Sequence, residues 1–333
     1  MPIAKKYGSY SPEKAAFPIR VNGESLNYRV NSIFVLPQEN IAIDLGTADS
    51  KAEYIIKSPF GPQQKLRTSR WSGNTPSIPG TYPVEITNSR SASAVIVNVF
   101  VLVPLDRVED GYLNGYRIGN YPKTPLRNLP TYTLPRGFVE VTPENETLRV
   151  SPHFRLQQFL CKQDGGYPKY LILNARLLST LEVLLELANK QGYYCQTFTI
   201  MSGYRTPHYN RAIGNRTTYS RHLWGDAADI FIDENPQDGK MDDLNQDGVI
   251  DYRDAEVMYD LIENAYIPRY QRTFLGGLAR YRETSWRGPF IHVDVRGSHA
   301  RWGVANRSRE GATSPIAFHP DSSSARSTLL PMP

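Results

Sequence analysis

Cysteine is scarce in this 333-residue chain, which has only Cys161 and Cys195. Two thiols are too few for a zinc ribbon, whose closed site takes its four ligands from cysteine and histidine. The pair flanks a predicted helix. An oxidising compartment would allow a bridge and a reducing one two buried thiols, and both readings stand. Residues 21–105 hold no cysteine at all, so a β-sandwich there lacks an inter-sheet disulfide. Long apolar runs are also missing. None approaches the ~20 residues of a membrane-spanning helix, so no transmembrane segment is expected. The opening Met1-Pro2-Ile3-Ala4-Lys5-Lys6 has no apolar core of a secretion signal. A strong charge is absent as well. The net charge of +5, from 38 Lys and Arg against 33 Asp and Glu, suits an anionic partner such as cell wall but reads first as solubility, and no nucleic-acid partner is expected.

What is present divides into parts. The length suits about two domains and a sizeable core. Residues 1–20 read as a loose arm. Residues 21–105 carry short apolar runs punctuated by Gly, Pro, Asn and Ser, which predicts an all-β immunoglobulin-like sandwich. Its binding partner cannot be read. Residues 106–150, rich in Tyr, Pro, Gly and Asn, read as a connector of ordered loops. A domain at 151–305 follows. It has a helix predicted over 172–190, where Leu177, Leu178, Leu181, Leu184, Leu185 and Ala188 fall on one side. Thr197 to Met201 reads as a strand. From Asn306 to Pro333 the composition turns to Ser, Arg and Pro, and a mobile tail is expected.

Two histidines and one carboxylate stand out. Asp229 lies in Ala228-Asp229-Ile230-Phe231-Ile232, an apolar run that reads as a buried strand. A lone carboxylate there is costly unless paired or metal-bound. His292 lies in the similar run Phe290-Ile291-His292-Val293-Asp294-Val295, and His222 precedes Trp224-Gly225 in loop-like sequence. His222, Asp229 and His292 together make a ligand set that suits catalytic Zn²⁺ with one open position.

The segments Ser202-Gly203-Tyr204-Arg205-Thr206-Pro207, Ser220 to Ile230 and Phe290 to Gly297, in this order, resemble the zinc D-Ala-D-Ala metallopeptidase family, and in particular its murein endopeptidase branch. The resemblance spans roughly residues 150–305, a domain-sized stretch. It implies an α+β zinc peptidase domain with an antiparallel sheet, and zinc on His222, Asp229 and His292. It implies that Arg205 polarises the scissile carbonyl and that Trp302 packs under the site. Tyr204 and Ser220 are expected to hold the substrate, and His208 to touch it. Relatives carry a general base two or three residues before the last ligand; here those positions are Pro289 and Phe290. Asp294, on the same strand face as His292, is the first candidate base, and Glu283 the second. The alternative is that Asp294 only orients a ligand or pairs with an arginine. The expected function is zinc-dependent hydrolysis of peptidoglycan stem-peptide or crosslink amides, in the periplasm or cell envelope after removal of a signal. A non-catalytic peptidoglycan-binding protein is the alternative.

A second metal motif lies in a predicted insertion, 234–265. Asp243, Asn245, Asp247, Val249, Asp251 and Asp254 fall where an EF-hand-type loop places its oxygens, with Gly248 at the sharp turn. Structural Ca²⁺ is expected there. Asp254 stands where such loops usually carry Glu, and no entering helix is expected.

Overall fold

The computed structural model describes residues 10–46, 53–66, 70–266 and 276–303. The expected mobile tail and the first nine residues of the expected arm lie outside them. The chain is mostly β, with several antiparallel sheets and few helices. The first strands are β1 (Lys14–Val21), β2 (Glu24–Tyr28), β3 (Val30–Val35), β4 (Asn40–Leu45), β5 (Tyr54–Lys57), β6 (Gln64–Leu66), β7 (Arg70–Asn74), β8 (Gly80–Asn88) and β9 (Ala94–Val101). They form two sheets, in the orders β2-β1-β4-β7 and β3-β9-β8-β5-β6. β1 begins inside the stretch expected as a loose arm, because alternating Phe17, Ile19 and Val21 turn inward.

Strand β9 is buried on both faces, and this joins the two halves of the molecule. Val95, Val97, Val99 and Val101 face the core between the two sheets, while Phe100 belongs to the larger core of the C-terminal part. On that second face Phe34 stacks on Phe100 at 5.3 Å. Ser32 Oγ donates to the Val150 carbonyl at 2.6 Å, and Asn98 Nδ2 donates to the Arg149 carbonyl at 2.8 Å.

Short strands follow: β10 (Val103–Pro104), β11 (Tyr112–Leu113), β12 (Tyr116–Arg117), β13 (Gly137–Val141) and β14 (Lys169–Leu171). The segment 106–150, expected as loops outside a core, contributes Leu113, Tyr116, Ile118, Phe138, Val139, Val141 and Val150 to the larger core. Its apolar residues are scattered between turns, so no periodicity announces them. Helix α1 (Ala175–Lys190) starts after Asn174, whose side chain accepts from the Arg176 N–H. It buries the leucines expected of it. Cys161 and Cys195 are free buried thiols in the same core.

The last sheet has the order β15-β16-β18-β17-β19, from β15 (Thr199–Ser202), β16 (Ala227–Phe231), β17 (Gly277–Tyr281), β18 (Phe290–Asp294) and β19 (Ala300–Gly303). All pairs are antiparallel except β17 with β19. One face, with Ile230, Ile291, Leu278 and Val293, joins the larger core. In sequence, helix α2 (Pro207–Ala212) lies between β15 and β16 and helix α3 (Tyr252–Leu261) between β16 and β17. Among the described residues no helix is long and apolar enough to cross a membrane.

Within α1, Glu182 is fully buried and gathers three donors. Ser151 Oγ donates at 2.6 Å, the His153 backbone N–H donates at 2.9 Å, and His153 Nδ1 lies 2.7 Å away. Glu182→Ala leaves these donors buried and unsatisfied. It is expected to lower unfolding free energy by about 3 kcal/mol, read as a lower denaturant midpoint at an unchanged slope.

Candidate metal centre

The register of the last sheet lines up the site. Ser202 lies opposite Asp229, Asp229 opposite His292, His292 opposite Ala279, and Ala279 opposite Trp302. Directly opposed residues share a face, so one row across five strands carries the site away from the apolar core. Two residues along the strands, the same face carries Ala227 opposite Asp294 and Gly277 opposite Ala300. The Gly277 N–H donates to Asp294 Oδ1 at 2.9 Å. A Cβ on Gly277 would sit 2.2 Å from Asp294 Oδ2, so only glycine admits that carboxylate.

His222 reaches the row from a 3-10 turn, Arg221–Trp224. Gly225 ends the turn in a left-handed conformation, φ 64°, and a Cβ there would meet the Ile172 carbonyl at 2.1 Å. The connector holds the turn from outside. Arg221 Nη1 donates to the Thr131 carbonyl at 2.9 Å, and the guanidinium pairs with Asp226 and lies over Tyr132. Trp224 Nε1 donates to the Thr133 carbonyl at 2.8 Å.

His222, Asp229 and His292 are all buried, and one donor atom from each lies within 4.8 Å of the others. Among the described residues this is the one group of three His, Cys, Asp or Glu side chains so placed. His222 Nδ1 lies 2.7 Å from the Gly203 carbonyl. A carbonyl only accepts, so Nδ1 carries the hydrogen and Nε2 of the neutral ring keeps its lone pair. That Nε2 is 3.3 Å from Asp229 Oδ1. Tetrahedral ligands about 2.0–2.1 Å from zinc stand roughly 3.3 Å apart, so this spacing and donor set fit the metal. Asp229 Oδ1 also lies 2.8 Å from His292 Nδ1, and Oδ2 accepts from Arg205 Nη2 at 2.6 Å. Arg205 Nε donates to Ser202 Oγ at 2.7 Å.

Burial shapes the charges here. It raises the Asp229 carboxyl, but His222 and His292 overcome it and hold the group well below the usual carboxylate range. It pushes the His222 imidazole down, with Asp229 opposing. For His292, burial is outweighed by the hydrogen bonds that the Asp229 and Asp294 carboxylates accept from its ring, and its pKa is raised to about 9.

Asp294, the first candidate base, lies beside His292. Its carboxylate is buried, lies 3.2 Å from His292 Nε2, and accepts from Arg296 Nε at 2.8 Å and from the Arg296 backbone N–H at 3.1 Å. Burial raises its pKa, yet His292 and Arg296 hold it far below the carboxylate range. Its oxygens are thus engaged by His292, Arg296 and the Gly277 N–H, contacts that suit holding the His292 ring in place. Glu283 is exposed in the loop between β17 and β18. Tyr204, expected to hold substrate, is buried. Its hydroxyl is 2.9 Å from that of Tyr121, which donates to the Leu223 carbonyl, so the ring packs behind the site. Ser220 is buried at the head of the His222 turn, and His208 is partly buried on α2, outside the three-residue group. Trp302 packs against His292 with ring centres 5.1 Å apart. The sequence reading missed Arg296, Arg221 and Tyr121. Arg296 alone carried a signal, since alternation puts it on the Asp294 face.

The acidic loop folds onto its own backbone. Asp243 accepts from the Asp247 and Gly248 N–H groups, and Asn245 Oδ1 from the Asp247 N–H. Asp254 is fully buried. It accepts from the Leu244, Asn245 and Asp251 N–H groups and caps α3 together with Asp251. Arg253 pairs with Asp247 and Asp251.

A buried group of two sheet residues, Asp229 and His292, and His222 on its turn, with Arg205 beside it, could hold a metal ion. Residues 152–246 match the family model described as Peptidase M15, which supports the zinc D-Ala-D-Ala metallopeptidase family and a metallopeptidase activity. The matched segment includes Arg205, His222 and Asp229 and stops before His292. No curated protein and no solved structure matches the chain.

The sign of the pH dependence follows from His292. Its raised pKa means that its charged form stabilises the metal-free fold fully below about 6.5, and that this contribution is lost as pH climbs towards about 9. A metal must displace that proton. Zinc binding at pH 7.5 is therefore expected to release about one proton, read by calorimetry in buffers of differing ionisation heat. Release of none would refute a charged His292.

Proposed function

We propose that this chain is a zinc-dependent peptidase that hydrolyses amide bonds of peptidoglycan peptides. The observation that carries the proposal is the buried row of Asp229 and His292, completed by His222 and flanked by Arg205. His222 Nε2, an Asp229 oxygen and His292 Nδ1 would hold the zinc. Bound there, the metal would acidify a water and polarise a carbonyl. Arg205, fixed between Ser202 and Asp229, turns its charge towards the developing oxyanion. Asp294 and Gly203 keep the two imidazoles in position through their far nitrogens. With Asp294 bonded on every side, Glu283 is the carboxylate left to take the proton of the attacking water. It is exposed, two residues beyond the end of β17.

The reading locates the protein's work in the periplasm or cell envelope, where peptidoglycan lies. It includes the N-terminal sheets as an immunoglobulin-like sandwich, supported by the single apolar core that the two sheets enclose. It also includes calcium in the 243–254 loop. This is supported by the sharp turn at Gly248, φ +85°, around which Asp243 accepts from the Asp247 and Gly248 N–H groups. Saturating calcium is then expected to raise the melting temperature over that in chelator, and an equal melting temperature in both refutes the calcium site.

The deciding experiment digests purified peptidoglycan with the zinc-loaded protein and resolves the products by mass spectrometry. Wild type is expected to release fragments that are lost in chelator and in His222→Ala. Glu283→Gln is expected to lower turnover by about 10²-fold or more with zinc still bound. Intact peptidoglycan with zinc bound would replace this reading with that of a non-catalytic peptidoglycan-binding protein.

A further inference from the structure

The sheet face that carries the metal row also carries Tyr281, at the end of β17. Tyr281 lies opposite Phe290, and Ala279 opposite His292. Alternation therefore puts the tyrosine two residues along from the row, on the side away from Asp294. Its ring lies flat on Phe290, with centres 4.6 Å and planes 7° apart. On the Asp294 side, Arg296 and the Gly277 amide close the carboxylate in. On the other side, the Tyr281 hydroxyl is close enough to feel both the Asp229 carboxylate and the Arg205 guanidinium. The strand order puts β15, which leads to Arg205, and β17, which ends in Tyr281, on opposite sides of Asp229 and His292.

The hydroxyl is aimed by one bond and keeps a hydrogen to give. Trp302 Nε1 donates to Tyr281 Oη at 2.7 Å. An indole N–H only donates, so the phenol oxygen accepts and its own hydrogen is left over. Among the described residues no acceptor takes it. Burial pushes the hydroxyl's pKa up, with the Trp302 bond opposing, so the hydrogen stays in place near neutral pH. Trp302 is itself held. Its ring stands 5.1 Å from that of His292, and the Arg296 guanidinium lies over it at 5.0 Å. Ala279, opposite both His292 and Trp302, is the small residue that leaves room for the indole.

We propose that Tyr281 is a catalytic residue, which donates a hydrogen bond to the scissile carbonyl oxygen as that oxygen gains negative charge. The inference rests on the peptidase reading. The phenol keeps its proton throughout, so no group has to take or return one. The bond strengthens as the charge develops, and a donor fixed beforehand needs no reorganisation at that moment. Arg205 and Tyr281 then serve the same oxygen from opposite sides of the metal row, one as a permanent cation and the other as a neutral donor. An interaction made mainly in the transition state acts on kcat and leaves substrate binding alone.

The test compares zinc-loaded wild type and Tyr281→Phe on stem peptides purified from peptidoglycan. The variant keeps the ring on Phe290 and removes only the oxygen. Its kcat is expected to fall about 10²-fold with KM changed less than about twofold, at equal zinc content and melting temperature. Binding gives a second readout. A stem-peptide analogue with a tetrahedral phosphinate at the bond that digestion identifies is expected to lose affinity by the same factor, while the cleavage products bind both proteins alike. Equal kcat in wild type and variant, or equal affinity for the phosphinate, overturns the role of Tyr281 and leaves the peptidase standing. No cleavage by wild type overturns the peptidase reading and this role together. If Tyr281→Phe loses zinc or melts early, a difluorinated tyrosine incorporated at position 281 takes its place. That ring keeps the oxygen and its bond to Trp302, but its more acidic hydroxyl loses the hydrogen at lower pH. Its kcat is then expected to fall on the alkaline side where that of wild type holds, and matching pH profiles overturn the proposal.

Discussion

A buried carboxylate sets the terms for the C-terminal half of this protein. Asp229 lies in the middle of an apolar strand, and burying it without partners would be prohibitive. Every neighbour answers that cost. Arg205 takes one oxygen, and His222 and His292 share the other. The partners come from three different places in the chain, so the sheet must bring β15, β16 and β18 into one register before the charge is satisfied. A slip of one residue would turn Asp229 into the apolar core and Ile230 towards the polar face. The ion cluster and the strand register therefore specify each other.

The cost reaches further than the three ligands. His292 meets a carboxylate at each ring nitrogen, and Asp294 in turn needs Arg296 and the Gly277 amide. This chain of bonds explains a glycine on β17, a buried acid two residues after a histidine, and an arginine two residues after that. It also separates two roles that one motif can suggest. A carboxylate that holds an imidazole in place must stay ionised and bonded, whereas one that accepts a proton from water must be free to take it. Asp294, bonded to His292, Arg296 and the Gly277 amide, is placed for the first of these roles.

Much of this was legible in the sequence because apolar strands make an isolated His or Asp conspicuous. The metal trio, the α1 leucines and the strand leading to Arg205 were found that way. Arg205, His222, Asp229 and His292 come together as their strand and turn contexts implied. Roles set by long-range contacts were not legible. Nothing local distinguishes Tyr204, whose hydroxyl meets Tyr121 eighty-three residues earlier, from a tyrosine that lines a cleft. The 106–150 segment read as loops because its core residues lie between turns with neither a 2- nor a 3.6-residue period. Yet it supplies the carbonyls of Thr131 and Thr133 that fasten the His222 turn.

The same kind of contact decides how the N-terminal sheets relate to the site. A tethered module would meet its neighbour through a polar interface and a flexible link. Here β9 lends alternate residues to two cores, with valines on one side and Phe100 on the other. Its next residues, Leu102 and Val103, lie in the larger core, and Val103 pairs with Phe138 of β13. The strand ends inside the structure that carries the connector, and the connector carries the His222 turn. Removing the sheets would open the apolar face beneath Phe100 and unsettle the segment that fastens a metal ligand. Whatever these sheets bind, they also support the catalytic half, and anything they hold is presented at a fixed angle to the metal row.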